Sequence, residues 1–237
     1  HHGIVNYAHW YKKTVQMTEK DVVAAYANFG FDAHMIDIYP TLLSGATLHI
    51  LTEEVRMNFD ALNQYINDNG ITVAFFTTQI GCQIASLFPD NNLRAMTIGG
   101  EKMPPTKKTS YTIYNGYGPT ECSLYSTCYK VEGDYDGLKS IIGRPLDNYQ
   151  LYIVDSNLNL VPRGVPGELV ISGIGVGREY LNRPETTAEK FISIYGKKAY
   201  RSGDLVRWTE DGNIEFLGRI DNQGKLRGLR IELGEIE

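Results

Sequence analysis

"ATLHILTEEVRMNFDALNQYINDNGITVAFF", residues 46–76, contains two apolar runs of strand length separated by a helix-like segment. Within that segment Phe59, Leu62 and Ile66 recur at helical spacing, and an Asn-Gly pair then marks its end. A strand, a helix and a second strand in this order predict a βαβ unit, in which the two strands run parallel.

The same alternation of strand-like and helix-like segments extends from residue 22 to residue 129. After about residue 130 the pattern changes to short strand candidates separated by turn-rich sequence, which is typical of a small all-β barrel or sandwich. The strand candidates of this half are "YQLYIVD" (149–155), "GELVISG" (167–173) and "AYRSGDLVRW" (199–208). One helix is predicted there, over residues 183–191, because Pro184 suits a first helical turn. An α/β fold followed by an all-β part is therefore expected.

Composition excludes several classes of protein. The chain has 237 residues, of which 42% are hydrophobic and 22% charged, as in soluble globular proteins, and no apolar run approaches a membrane span. The net charge of −5 provides no basic field for a nucleic-acid backbone. Cys82, Cys122 and Cys128 form no CxxC pair, which argues against a disulfide framework or a zinc site. A reducing, cytoplasmic setting is expected, without nucleic-acid or membrane partners.

"NGYGPTECS" (115–123) follows a predicted strand, where functional loops of open α/β sheets gather. Two glycines flank Tyr117, so a flat ring such as adenine can stack on the phenol. Thr120 and Glu121 would then face phosphates and a hard cation such as Mg²⁺. An ordinary turn is the alternative interpretation of this stretch alone.

Three further stretches are ambiguous when taken singly. "SGIGVG" (172–177) suggests a dinucleotide loop, but it lacks the third glycine at the right offset, and a glycine-rich strand bend fits better. Asp204 follows a glycine turn in "YRSGDL" (200–205). Arg219 and Asp221 belong to a charged stretch that a solvated loop would also explain.

Together, five ordered blocks resemble the adenylation domains of nonribosomal peptide synthetases, in the superfamily of acyl-CoA synthetases and firefly luciferase. The blocks are "FDAH" (31–34), "NGYGPTE" (115–121), "GELVISGIGVGREYLNRPETTAEKF" (167–191), "YRSGDL" (200–205) and "GRIDNQGKLRGLRIELGEIE" (218–237). The resemblance implies a flavodoxin-like α/β subdomain at 1–130 carrying an amino-acid pocket and an adenine site. It also implies a small distorted β-barrel at 131–217 and, at 218–237, a hinge with the start of a small C-terminal domain.

The same resemblance implies an activity. Such enzymes activate an amino acid with ATP and Mg²⁺ to an aminoacyl adenylate, then transfer it to the phosphopantetheine thiol of a carrier protein beside other synthetase modules. Two anions meet in this reaction, so charge neutralisation and alignment should supply most of the catalysis. By motif match, the catalytic residues would be Glu121, Thr120 and Arg219, with Glu121 also holding the metal.

The motif match also implies which residues contact nucleotide and substrate. Tyr117 would stack on adenine, Asp204 would accept from the ribose hydroxyls, and Arg219 would contact the ribose and phosphate region. The other nucleotide contacts would be Gly116, Gly100 and Glu101. Asp32 would pair with the substrate's α-ammonium, and Asp221 would be the hinge. The remaining pocket lining would be Ala33, Ile36, Gln79, Thr97, Gly99, Gly116, Leu124 and Tyr125.

This lining carries no charge beyond Asp32, which indicates a neutral substrate, either apolar or aromatic. His34 stands where the family usually has a small residue, and it is either packed or solvated beside the pocket or it alters selectivity. The initial "HHG" (1–3) resembles the HxG that follows the family's phosphate-binding loop. Since that loop and the family's late lysine would lie outside residues 1–237, the isolated segment is expected to be inactive.

Two alternative functions remain open at the level of sequence. One is an acyl- or aryl-CoA synthetase of the same superfamily, against which Asp32 argues. The other is a catalytically silent fragment that binds nucleotide or docks onto other modules.

Overall fold

The computed structural model describes residues 1–221, 224–226 and 229–231, so the rest of the last motif lies outside the described residues. The helices are α1 (His2–Val15), α2 (His34–Ser44), α3 (Glu53–Arg56), α4 (Phe59–Asp68), α5 (Thr78–Leu87) and α6 (Pro184–Lys190). The strands are β1 (Val22–Ala25), β2 (Thr47–Ile50), β3 (Val73–Thr77), β4 (Ala95–Gly99), β5 (Thr112–Tyr117), β6 (Thr127–Val131), β7 (Ile141–Pro145), β8 (Tyr149–Val154), β9 (Gly167–Gly173), β10 (Phe191–Ile194), β11 (Lys197–Trp208), β12 (Ile214–Arg219), β13 (Gly224–Leu226) and β14 (Leu229–Ile231). Among these residues no helix combines the length and apolarity that crossing a membrane requires.

Residues 7–116 and 130–138 form one compact unit around a parallel sheet. Its strand order is β2-β1-β3-β4-β5, which is the flavodoxin-like order. The stretch at 46–76 forms β2, α3, α4 and β3, and the predicted helical face packs inward, with Leu62 and Ile66 fully buried. The side chain of Asn58 caps α4 by accepting a hydrogen bond from the backbone N–H of Ala61. The predicted βαβ unit is therefore confirmed.

The amino ends of the parallel strands are tied together by an ion pair. Arg94 donates from Nε and Nη2 to Asp21, at 2.7 and 2.8 Å, and from Nη1 to the carbonyl of Val15. Thr72 donates to the same carboxylate at 2.8 Å. Burial alone would raise the pKa of Asp21, but these hydrogen bonds and the Arg94 charge lower it to about 2. Since the polar side chains at the amino edge of the sheet bond to one another, we expect a ligand site at the carboxyl edge instead.

At the carboxyl edge β1 and β3 diverge beyond the pair formed by Ala24 and Ala74. There the carboxyl group of Asp37, on α2, accepts hydrogen bonds from the backbone N–H groups of Phe75, at 3.2 Å, and Tyr26. Asp37 is 1% exposed, and burial raises the pKa of this carboxyl well above its ordinary value. A buried carboxyl group with a raised pKa thus bridges the divergence between β1 and β3, the switch point of this strand order.

Replacement of Asp37 by asparagine is expected to change how stability depends on pH. Because the folded state keeps a proton that the unfolded chain releases above about pH 4, wild-type stability falls as pH rises toward the elevated pKa. Relative to Asp37→Asn, the free energy of unfolding of the wild type should fall by up to about 1.4 kcal/mol per pH unit. Urea unfolding of both proteins from pH 4 to pH 8 measures the difference, and parallel stability curves would contradict the assignment.

The other compact unit comprises residues 1–6, 117–129 and the described residues from 139 onward. Its strands follow the antiparallel order β6-β7-β12-β11-β9-β8, with β10 paired to β11. A core of Val154, Val170, Ile194 and Ala199 lies against this sheet. The predicted helix forms as α6 and begins at Pro184. The change from parallel to antiparallel strands confirms the predicted α/β class.

Candidate active site

Three predicted site residues meet in the antiparallel unit. Asp204 on β11 and Arg219 on β12 are register partners, and Arg219 Nη1 lies 2.8 Å from Asp204 Oδ1. The hydroxyl of Tyr117, at the end of β5, donates a hydrogen bond to Asp204 Oδ2. Asp204 is only 5% exposed, so both of its partners act on a largely dehydrated carboxylate.

A local irregularity in β11 directs Asp204 toward this cluster. The register of β11 against β9 shifts between Arg201 and Leu205, and Gly203 within the shift has a φ of +69°. A Cβ on Gly203 would lie 2.7 Å from the carboxylate of Asp221 and 2.9 Å from the guanidinium of Arg219. Glycine is therefore required in "SGD" by both backbone conformation and space.

Burial and neighbouring charges shift the pKa values of Tyr117 and Arg219. Burial, reinforced by the negative charge of Asp204, raises the pKa of Tyr117 well above 10, so its phenol remains a proton donor. Burial alone would lower the pKa of Arg219, but its hydrogen bonds and ion pairs with Asp221 and Asp204 raise it. Asp221 accepts from Arg219 Nε and Nη2 at 2.8 and 2.6 Å. Arg219 is therefore a permanent cation held between two carboxylates.

The loop that carries Glu121 is held in one conformation by its neighbours. Glu121 lies in a single 3₁₀ turn at Thr120–Cys122, and its Oε1 accepts from the hydroxyl of Tyr180 at 2.6 Å. Ser123 and Leu124, which follow, have left-handed φ values of 58° and 74°, although neither is glycine. A loop held in strained geometry is a typical carrier of a functional side chain.

The chemistry of this loop fits a magnesium ion that arrives with phosphate. In the described residues no group of three or more His, Cys, Asp or Glu side chains forms a metal cage. Glu121 offers a single carboxylate, and Mg²⁺ commonly uses one or two carboxylates together with phosphate oxygens and water.

Predicted substrate-binding residues lie along the carboxyl edge of the parallel unit. Gly99 at the end of β4 and Gly116 near the end of β5 are register partners, so two adjacent positions lack side chains. Thr97 shares a face of β4 with Gly99, and its hydroxyl lies 3.2 Å from that of Tyr11 on α1. Tyr11 was not identified from the sequence, because the helical spacing of α1 indicates only packing. Gln79, the second residue of α5, is exposed.

The turn before α2 places the other predicted substrate residues. Asp32 and Ala33 are half-buried, while Ile36 is 2% exposed in the first turn of the helix. His34 Nδ1 lies 2.5 Å from the carbonyl oxygen of Phe31, and its ring packs against that of Phe29. The ring of His34 therefore packs beside the turn, and its place beside a pocket and its role in selectivity stay predictions.

The last predicted residues fall into two groups. Gly100 and Glu101 follow β4, where Thr78 bonds to the backbone of Glu101. Leu124 and Tyr125 are buried in the antiparallel unit. Their contribution to a pocket with Asp32, on the parallel unit, stays a prediction.

A family model described as AMP-binding enzyme matches residues 1–181. The chain therefore belongs to the AMP-binding enzyme family. It is 42% identical over 240 residues to surfactin synthase subunit 1 of Bacillus subtilis (strain 168), an alignment covering 100% of this chain and 7% of that protein. It is 40% identical over 240 residues to bacitracin synthase 1 of Bacillus licheniformis, covering 100% of this chain and 4% of that protein.

Solved structures show the same relationship. An artificially fused adenylation–PCP di-domain nonribosomal peptide synthetase from Klebsiella oxytoca has a TM-score of 0.86 at 26% identity, covering 100% of this chain and 50% of that one. A nonribosomal peptide synthetase protein with adenylation and PCP domains, bound to a vinylsulfonamide inhibitor, has a TM-score of 0.81 at 26% identity, covering 93% and 41%. The resemblance to adenylation domains is confirmed, and the chain spans half or less of each of these proteins.

Proposed function

We propose that this chain is part of an enzyme that activates an amino acid with ATP and transfers it to the phosphopantetheine thiol of a carrier protein in nonribosomal peptide synthesis. The observation that carries the proposal is the cluster of Tyr117, Asp204 and Arg219. It combines an aromatic ring, a buried carboxylate and a permanent cation, which suit adenine, ribose and phosphate. Membership of the AMP-binding enzyme family supports the same assignment.

In this proposal each side chain acts on charge or position. Tyr117 presents its ring to adenine while its hydroxyl holds Asp204, which accepts from the ribose hydroxyls. Arg219 faces the ribose and phosphate region, and Glu121 with Thr120 faces the phosphates. Mg²⁺ bound by Glu121 would supply charge neutralisation at the α-phosphate. Since the substrate carboxylate attacks this phosphorus and pyrophosphate leaves, alignment and charge compensation suffice without a covalent enzyme intermediate.

The proposed substrate is a neutral amino acid with an apolar or aromatic side chain. Asp32 supplies the partner for the α-ammonium group. Buried Ile36 and the adjacent Gly99 and Gly116 support an uncharged, roomy side-chain site. The proposed partners are a peptidyl carrier protein and other synthetase modules, because similar solved structures join adenylation and PCP domains. A cytoplasmic location, with free thiols at all three cysteines, is consistent with this role.

Amino-acid-dependent exchange of pyrophosphate into ATP tests the proposal. We expect the full-length protein to catalyse exchange with one or a few neutral amino acids when the proteinogenic set is screened at saturating Mg·ATP. A parallel screen of carboxylic acids without an amino group distinguishes an acyl- or aryl-CoA synthetase. Binding of ATP without exchange for any acid would favour a catalytically silent nucleotide-binding protein and overturn the proposal.

A further inference from the structure

We propose that Tyr180, together with the glycine-rich segment 173–177, positions the carboxylate of Glu121 for magnesium. The inference rests on the proposed function. Its central observation is the hydrogen bond of 2.6 Å from the Tyr180 hydroxyl to Glu121 Oε1. Tyr180 is a positioning residue, because it acts on the metal through the glutamate.

The ring of Tyr180 is itself fixed by its surroundings. It packs edge-to-face on Phe191, with ring centroids 5.3 Å apart, and Phe191 in turn packs on Tyr200. The hydroxyl of Tyr180 lies 3.2 Å from that of Tyr200, and its backbone N–H donates to Thr187 Oγ1 on α6. The phenol that reaches Glu121 is therefore held by contacts with Phe191, Tyr200 and α6.

The glycine-rich segment holds the backbone of the same loop. The N–H of Gly177 donates to the carbonyl of Glu121 at 2.7 Å, and Ser123 Oγ donates to the carbonyl of Gly175 at 2.8 Å. Tyr149 donates from its hydroxyl to the carbonyl of Cys122 at 2.5 Å. Three consecutive residues of the loop are thus bonded from outside it.

Close approach explains why this segment is rich in glycine. A Cβ on Gly175 would lie 1.6 Å from the hydroxyl of Tyr149, and one on Gly177 would lie 3.0 Å from the carbonyl of Glu121. The backbone of "SGIGVG" therefore packs directly against the loop that carries Glu121. The contacts leave this segment packed against protein backbone, which is incompatible with the dinucleotide loop that its spacing superficially suggests.

A carboxylate that is already oriented binds Mg²⁺ more tightly, because less ordering is needed when the ion binds. The hydroxyl of Tyr180 donates to Oε1 of Glu121, and this bond restricts the rotation of the carboxylate that would hold the metal. Without the hydroxyl, the carboxylate must be ordered when Mg²⁺ binds. We expect the loss to equal one charge-assisted hydrogen bond, or about 10-fold in magnesium-dependent affinity.

Calorimetric titration of ATP, with Mg²⁺ and with EDTA, tests the inference in the full-length protein. Tyr180→Phe, which keeps the ring packing, should leave the Kd for metal-free ATP unchanged. The factor by which Mg²⁺ lowers the Kd for ATP should become about 10-fold smaller. A merely structural role would change both Kd values equally, and that result would overturn the inference, as would unchanged magnesium dependence. Tyr152→Phe is the matched control, because it removes a tyrosine hydroxyl of the same unit that donates to the exposed side chain of Gln150, at 3.1 Å.

Two further variants keep the test decisive. In a double-mutant cycle, Tyr180→Phe added to Glu121→Gln should have little additional effect on magnesium dependence, and full additivity would contradict coupling. If a thermal melt shows that Tyr180→Phe does not fold, Gly177→Ala displaces the Glu121 carbonyl from the other side and should also weaken magnesium dependence. Pyrophosphate exchange by the wild type separates the two hypotheses. If the wild type binds ATP but shows no amino-acid-dependent exchange, the proposed function is refuted. If the wild type exchanges normally and the variants keep the wild-type magnesium dependence of ATP binding, only the positioning role is refuted.

Discussion

Replacement of Asp204 by alanine is expected to weaken ATP binding by about 100- to 1,000-fold. The carboxylate is 5% exposed and accepts from both Tyr117 and Arg219. The nucleotide loses the charged acceptor proposed for its ribose hydroxyls, and two hydrogen bonds to a charged group, at about 1.5–3 kcal/mol each, account for the weaker binding. Removal also leaves a partly buried guanidinium without that partner, which destabilises the fold by about 3–5 kcal/mol whether or not ATP is bound. Calorimetric titration with Mg·ATP and kcat/KM for ATP in pyrophosphate exchange measure the loss.

Two comparison variants identify the origin of this effect. Asp204→Asn keeps the shape of the side chain but places an amide nitrogen where one oxygen accepted, so one accepted hydrogen bond is lost and we expect about a tenfold effect. Glu210→Ala removes an exposed negative charge from the same unit and should leave the Kd for ATP unchanged. Equal weakening by all three variants would indicate a general electrostatic effect and contradict the ribose assignment. A thermal melt of each variant separates binding from folding.

The fold could be predicted largely because its information is local. Helical spacing in 58–68 and the apolar runs on either side predict a βαβ unit, which the structure confirms. The change in turn density after residue 130 likewise predicts the antiparallel part. Buried Asp37 left a signal that the sequence interpretation missed: an acid stands between Ile36 and Ile38 on a helix whose neighbouring positions are apolar.

The site could be predicted only in part, because its contacts join distant segments. Motif match selected Tyr117, Asp204 and Arg219, but stacking explained only the ring of Tyr117 and gave no role to its hydroxyl. That hydroxyl bonds to Asp204 across 87 positions of sequence. Tyr180 carries no local signal, since its contact with Glu121 spans 59 positions and depends on the close approach of a glycine-rich segment. Such contacts follow from packing rather than from periodicity.

The second large effect is expected for the other substrate, the amino acid. Asp32→Ala should lower kcat/KM for the amino acid by about 100- to 1,000-fold, because an α-ammonium left without its partner costs about 3–5 kcal/mol. Asp32 is half-buried in the turn that precedes α2, where its backbone carbonyl accepts from the N–H of Met35. The KM for ATP should stay unchanged, since the nucleotide contacts proposed here lie on other residues.

Substrates without an amino group provide the decisive comparison for Asp32. Hydroxy and keto acids with the same side chain cannot form the ion pair, so Asp32→Ala should activate them as well as the wild type does, and selectivity for the amino acid should collapse. Asp60→Ala, which removes an exposed acid from the first turn of α4, is the matched control and should have no effect. Unchanged exchange with the amino acid in Asp32→Ala would remove this residue from the pocket. An equal loss for amino acids and hydroxy acids would assign it to the fold of the turn instead, because only an ion pair discriminates between substrates that differ in the ammonium group.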